Sequence, residues 1–489
     1  MLAGCACITR VSSRTSLIVM TLHQPFRTEV RANLGIAVPL IAAQMAGVGM
    51  GTIDTIMAGR ISDEALAAVS VGANLNVAFF VLIMGVLMAC SPIVAHRAGA
   101  GHADARVGGF VRGALLLGLL LAVLWVAGAH LLAGPVLSHI GLPATTAAVA
   151  VQFLQAYSWS SFGFCAWFVL RYTAEGAGTT RPIFWSGVTG LCSNLLLDWV
   201  FMYGKAGFPA MGAVGCGWAT TLSSLLMAAV LALQYSWHAP LRGFRIFERA
   251  WPHLEDGARE ILRLGTPIGL ILLAEAGLFV AVSLLMARFG DEAVAAYQVA
   301  LNFASVAFMI PLGIGLATTV RVGHAMGAGD HAAARHRGYV GMCLGAFNAA
   351  SNAAIMLLFS TLIAGFYTVN RGIIALAASY LGLAAAFQLF DGLQVTANGA
   401  LRGIKDTRVP MLITVAAYWL VGMPVALWLA WHYSLAVGRK WQQSTTSDEI
   451  VHLTGGYTFD ALNDYRLHPE NGVLPQRWAA LPTALRGVG

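Results

Sequence analysis

Four carboxylates stand inside long apolar stretches of this 489-residue chain: Asp54, Asp198, Glu275 and Asp391. A charged Asp at the bilayer centre costs about 2.5–3.5 kcal/mol on insertion scales, so four central, ionised and unpaired acids would cost about 10 kcal/mol. No Lys or Arg falls in the middle of these stretches. The partners left are a proton, a metal cation such as Na⁺, or a cationic substrate. An apolar cavity favours the neutral carboxyl, so a carboxyl held there can exchange a proton for a cation. Such an exchange is the minimal chemistry of an antiporter, because the charge of the site then biases one of two conformations. A plainer reading remains open, most of all for Asp54 and Asp198, which lie toward one end of their stretches, and also for the deeper Glu275 and Asp391: an acid near a helix end can cap a helix or reach the headgroups.

The elements around these acids must be membrane helices. Hydrophobic residues make up 58% of the chain and charged residues 10%, with mean hydropathy +0.72; soluble chains carry about 25% charged residues. The apolar runs are long and do not alternate, and in lipid only helices or closed barrels satisfy their own backbone. We read eleven spans, near 34–58, 66–94, 109–133, 148–170, 183–204, 213–235, 264–287, 293–320, 338–367, 373–400 and 409–431. Basic residues of the connecting segments then divide eighteen to four, with only Arg60, Lys205, Arg288 and Arg371 on the poorer side. This bias places the N-terminus in the cytoplasm. It also explains the net charge of +7 without a nucleic-acid partner. The seven cysteines lie mostly within apolar runs with no CxxC pair, and read as small buried hydrophobes.

The chain matches itself at an offset of 228. Arg60–Ala68 (RISDEALAA) recurs as Arg288–Ala296 (RFGDEAVAA), and His96–Gly101 (HRAGAG) as His324–Gly329 (HAMGAG). Pro39 matches Pro267, Asn74 matches Asn302, and Gly85 matches Gly313. Gly176 and Arg181 match Gly403 and Arg408 at an offset of 227. The expected fold is therefore all-α and polytopic: two six-helix repeats related by a pseudo-two-fold along the membrane normal. The expected division is an N-terminal cytoplasmic segment 1–33, a six-helix lobe 34–235, a cytoplasmic linker 236–263, a five-helix lobe 264–431 and a polar tail 432–489. The twelfth helix is missing from the sequence, and a frameshift or altered end near residue 432 would account for that. Met20 is a plausible start, with 1–19 an upstream extension.

Polar side chains on the same spans can serve the acids: Gln44, Asn194, Gln298, Asn302, Gln388 and Gln394. Each can equally be a hydrogen-bonding contact between helices. Aromatic faces attract organic cations; Trp159, Phe162, Trp199, Phe279, Tyr297, Phe387, Phe390 and Tyr418 are candidates. Pro39 and Pro267 interrupt the first helix of each repeat, as hinges or as static kinks. His96 and His324 read as solvated loop histidines, and Gly327–Gly329 as a repeated turn.

Six segments together resemble the multidrug and toxic compound extrusion (MATE) family, in particular its NorM-type branch, over about residues 30–431. They are Asp54–Arg60 (DTIMAGR), Asn194–Asp198 (NLLLD), Gly212–Thr220 (GAVGCGWAT), Pro267–Gly269 with Glu275, Phe387–Val395 (FQLFDGLQV) and Leu401–Arg408 (LRGIKDTR). The resemblance implies twelve helices around a V-shaped cavity, alternating access, and export of cationic drugs in exchange for Na⁺ or H⁺. It implies a cation site at Glu275 and Asp391, where Na⁺ is the metal to consider, and a polar site at Asp54, Asn194 and Asp198. Phe387 stands where some relatives carry a tyrosine, which removes one oxygen ligand.

The expected protein is a secondary active transporter and not an enzyme. HExxH, GxSxG and GxxxxGK[ST] are absent, so ATP is not the expected energy source. Its partners would be small organic cations and the bilayer of a bacterial inner membrane. No cofactor beyond the coupling ion is expected, and a monomer is. The substrate cavity is assigned to Gln298, Asn302, Tyr297, Phe387, Gln388, Gln394 and Trp199. A lipid-linked saccharide flippase, or a transporter inactivated by its altered end, are the alternatives; a flippase cavity should be basic, and the in-span charges here are acidic.

Overall fold

The computed structural model describes residues 25–102, 105–139, 143–247, 257–286 and 289–432. The expected extension 1–19 and tail 433–489 lie outside them. The first compact unit runs through Ala416. Its helices are α1 (Phe26–Gly59), α2 (Asp63–Met88), α3 (Cys90–Gly99), α4 (Ala105–Ser138), α5 (Ala144–Ser158), α6 (Ser160–Gly176), α7 (Arg181–Tyr203), α8 (Ala213–Trp237) and the short α9 (Ala239–Arg242). They continue as α10 (Ala258–Met286), α11 (Asp291–Gly327), α12 (His331–Leu358), α13 (Ser360–Tyr367), α14 (Arg371–Gly403) and α15 (Arg408–Val415). The second unit starts at Ala417; its described residues carry a π-helical stretch and then α-helix as far as His432.

Helices cover all eleven expected spans, but nine are long and apolar enough to cross a membrane among the described residues. The span read at 148–170 is divided between α5 and α6 at Trp159, whose backbone stays right-handed (φ −65°, ψ −21°). Neither piece reaches spanning length. The span read at 183–204 is α7, 23 residues long, whose polar content keeps it out of the nine.

The repeated Asp-Glu pairs have a local cause. Asp63 and Glu64 open α2, and Asp291 and Glu292 open α11, where carboxylates complement the unsatisfied amides of a helix start. Ser62 Oγ caps α2 by accepting from Ala65 N at 3.0 Å. At the same position of the second repeat, Gly290 takes φ 92°, which glycine tolerates.

The two halves of this unit meet along α2, α3 and α1 on one side and α10 and α11 on the other. Small residues let these backbones approach. A Cβ on Gly85 would lie 2.4 Å from Gly269 Cα, and one on Gly265 would lie 2.1 Å from Val86 O. The hydrogen bonds that tie the halves belong to the ends rich in basic residues, and two of them are related by the repeat. His96 Nε2 donates to Gly403 O at 2.7 Å, and His324 Nε2 donates to Gly176 O at 2.8 Å. Both imidazoles are half-buried in helices, so the reading of them as solvated loop residues is corrected. Glu29 accepts from Arg321 at 2.7 and 2.6 Å. Glu260 pairs with Arg97 at 3.4 Å and with Lys405 at 2.8 Å. Asn33 donates to Thr318 Oγ1 at 3.1 Å. Toward the opposite end each half closes on itself: Ala58, Val69, Phe153 and Met202 form one apolar cluster, and Ala300, Met356, Leu381 and Ala385 another.

Candidate functional site

The first carboxylate pair is assembled by three helices of the first half. Asp54 lies on α1, Asp198 one turn after Asn194 on α7, and Cys216 one turn before Thr220 on α8. The four-residue spacings put each pair on one helix face. Asp54 Oδ1 accepts from Asn194 Nδ2 at 3.0 Å and Oδ2 accepts from Thr220 Oγ1 at 3.3 Å. Asp54, Asp198 and Cys216 present oxygen and sulfur atoms within 4.8 Å of one another. Asp198, Asn194 and Cys216 are fully buried, and Asp54 is 9% exposed. Asp198 Oδ1 and Oδ2 and Asn194 Oδ1 are buried without a hydrogen-bond partner. Removing such atoms from water without compensation is costly, unless a proton is shared within the group, which the closeness of Asp198 to Asp54 and Cys216 allows. Asp54, Asn194 and Asp198 thus come together as the sequence suggested. Thr220 and Cys216 were not singled out, although both lie in the Gly212–Thr220 segment.

The second pair lies in the other half. Asp391, on α14, is buried, and Glu275, on α10, is half-buried within electrostatic range of it. Gln388, one turn before Asp391, is buried and donates to Ala304 O at 3.0 Å, while its Oε1 is left unpartnered. Phe387 packs edge-on against Phe279 at 5.9 Å between ring centroids. Among the described residues neither Glu275 nor Asp391 has a salt-bridge partner within 4.0 Å.

The remaining cavity candidates are scattered. Gln298 and Asn302 are exposed on α11, and Asn302 Nδ2 donates to Gln298 O of its own helix. Tyr297 and Gln394 are half-buried. Trp199 turns away from the Asp54 group and lines a groove of about 680 Å³ with Ile53, Met57, Leu195 and Tyr203. Two cations that the sequence placed in connecting segments are buried at helix ends. Arg171 donates to Gln44 and lies over Trp167 at 4.8 Å. Arg402 reaches Met88 Sδ at 3.2 Å. Pro39 and Pro267 are enclosed in continuous helices. They lie beside contacts between the halves: Ile41 meets Gly313, and Gly269 meets Leu82.

Comparison with known proteins gives the family. The MatE family model matches twice, over residues 39–200 and 267–428. The chain is 37% identical over 438 residues to the multidrug resistance protein PmpM of Pseudomonas aeruginosa, covering 88% of this chain and 90% of that protein. It is 36% identical over 407 residues to the multidrug resistance protein NorM of Vibrio vulnificus, covering 82% and 87%. Its fold is similar to that of the eukaryotic MATE transporter AtDTX14, with TM-score 0.74 and 23% identity over 84% of this chain and 90% of that one. A MOP superfamily transporter from Pyrococcus furiosus gives 0.72 at 19% identity over 83% and 89%. With a duplicated match over most of its length and relatives this similar, the chain belongs to the MatE family of multidrug and toxic compound extrusion transporters.

Proposed function

We propose that this chain exports small organic cations across a bacterial inner membrane in exchange for Na⁺ or H⁺, by alternating access. The observation that carries the reading is the pair of carboxylate groups, one in each half, neither in a salt bridge among the described residues: Asp54 with Asp198, and Glu275 with Asp391, where the buried Arg402 acts on Glu275 only from a distance. A charge that the protein leaves unpaired within a membrane is available to an ion that moves. The relatives named multidrug resistance proteins support drugs as the exchanged cargo. The basic ends, where the seam is closed, are cytoplasmic by the positive-inside rule. The separate clusters at the other end then fit a state open to the outside, with Pro39 and Pro267 as the hinges.

In this cycle the outward-open protein takes up Na⁺ or H⁺ at Glu275 and Asp391, with Asp54, Asn194 and Asp198 as a second site. Uptake displaces the drug outward. The loaded protein turns inward, releases the ion and rebinds drug. The test is efflux of a fluorescent organic cation from cells expressing the chain, with Na⁺ and pH varied, beside Asp391→Asn. Gradient-driven efflux that disappears in the variant is expected. Efflux that is unchanged in Asp391→Asn removes the carboxylate from the mechanism.

A further inference from the structure

We infer that the Asp54 group is also a binding site for a thiophilic divalent cation of the zinc and cadmium class, with Cys216 as the ligand that selects it. The inference builds on the reading of Asp54 and Asp198 as a cation site, but it rests on the sulfur. Hard cations prefer oxygen and thiolate selects softer metals, so Cys216, which packs with the apolar cluster of Phe153 and Met202 and also faces two carboxylates, sets this group apart from an all-oxygen site. Here Cys216 Sγ, an Asp54 oxygen and an Asp198 oxygen lie within 4.8 Å of one another. Around a tetrahedral metal with bonds of about 2.0–2.3 Å, neighbouring ligand atoms stand about 3.3–3.8 Å apart. The three groups therefore need to close by only about 1 Å, which side-chain rotation supplies.

The second observation is the state of the other atoms. Asp198 is fully buried, yet no side chain outside the group gives either of its oxygens a hydrogen bond. Asn194 Oδ1 is buried and unpartnered as well, while its Nδ2 is used to hold Asp54. Two carboxylates and one thiol make a three-ligand set of mixed oxygen and sulfur, and a tetrahedral metal keeps its fourth position for water or a neighbouring oxygen. Thr220 Oγ1 and Asn194 Nδ2 already orient Asp54, the supporting role that outer groups play around metals. Asp54, the least buried of the set, marks the side from which an ion enters. As the metal–sulfur bond forms, the Cys216 proton leaves to water. The bound ion then ties α1, α7 and α8 together and occupies the place of the coupling ion, so it should block transport.

The test uses the full-length protein with Cys5, Cys7, Cys192 and Cys343 changed to serine, titrated with Cd²⁺ in detergent. The expected result is one thiolate-to-cadmium charge-transfer band per chain that vanishes in Cys216→Ser. Asp198→Asn should weaken Cd²⁺ binding at least tenfold. Efflux by the same protein should be inhibited by Cd²⁺, and whatever efflux Cys216→Ser retains should be insensitive. A band that persists in Cys216→Ser, or Cd²⁺ binding indifferent to Asp198→Asn, overturns the site. Failure of the parent reading looks different: Asp54→Asn would leave ion-driven efflux intact while the cadmium band of the unmutated site remained.

Discussion

Replacing Glu29 with glutamine removes one charge from the seam and should shift the balance between conformers. In the closed seam Glu29 is buried and receives the Arg321 guanidinium through Nε at 2.7 Å and Nη2 at 2.6 Å. Arg337 Nε adds a second cation 3.7 Å away. The glutamine leaves two guanidinium groups facing each other with no anion between them. Removing one partner of a buried pair costs about 3–5 kcal/mol. Arg321 and Arg337 keep 17% and 20% of their side-chain surface, so water recovers part of this, and about 2 kcal/mol is a fair expectation. Because the pair joins the two halves, the penalty falls on the closed-seam state, and 2 kcal/mol moves the equilibrium about 30-fold. Nitroxide labels at Ile61 and Val369, both exposed at the end away from the seam, would report it by pulsed dipolar spectroscopy. The variant should show a second, shorter separation. A distance distribution identical to that of the unmutated protein, in folded material, refutes the reasoning.

Gly99→Ala and Gly327→Ala should each destabilise the closed seam, because a Cβ at either position would stand 2.1 Å from the carbonyl of His324 or His96; about 1–3 kcal/mol is expected for overpacking of this kind, read as a lower melting temperature in detergent. His96→Ala and His324→Ala should cost nearly the same, about 1 kcal/mol each for one hydrogen bond, since their bonds differ by 0.1 Å; unequal losses in chemical denaturation would show that the two halves do not share the load. Asn194→Ala removes the amide that holds Asp54 at 3.0 Å and should reduce ion-driven efflux, while Asn302→Ala, whose amide bonds its own helix, should leave the unfolding free energy within about 0.5 kcal/mol of the original.

The duplication and the in-span acids were legible from sequence because each is a local fact: a repeated string, or a charge where apolar residues surround it. The group around Asp54 was legible only in part. Asn194 and Asp198 stand out as polar residues on one face of a membrane helix. Cys216 does not, because a thiol that packs and a thiol that binds look alike in an apolar run. Arg171 and Arg402 were counted with the connecting segments since they fall at helix ends, yet packing against Trp167 and Met88 draws them inside. The histidines of the repeated turn gave no sign of their partners, which lie 307 and 148 residues away in the chain. The division at Trp159 carries no Pro or Gly of its own, but serines flank it and Ser158 Oγ donates to Gln155 O at 2.7 Å, a local bond that bends helices.

The crossed histidine bonds also bear on how such a chain came to exist. His96 of the first half meets Gly403 of the second, while the matching His324 meets the matching Gly176. Residue i touching j′ while i′ touches j is the rule of an isologous dimer. These two bonds thus have the symmetry of an interface between two half-length subunits, carried here on one polypeptide. Fusion releases the copies from identity: Gly178 takes φ 77° in one half, and Lys405, its counterpart, takes φ 63° in the other while reaching Glu260. One copy keeps the residue that the backbone favours, and the other accepts strain to gain an ion pair, a division of labour that two identical subunits could never adopt.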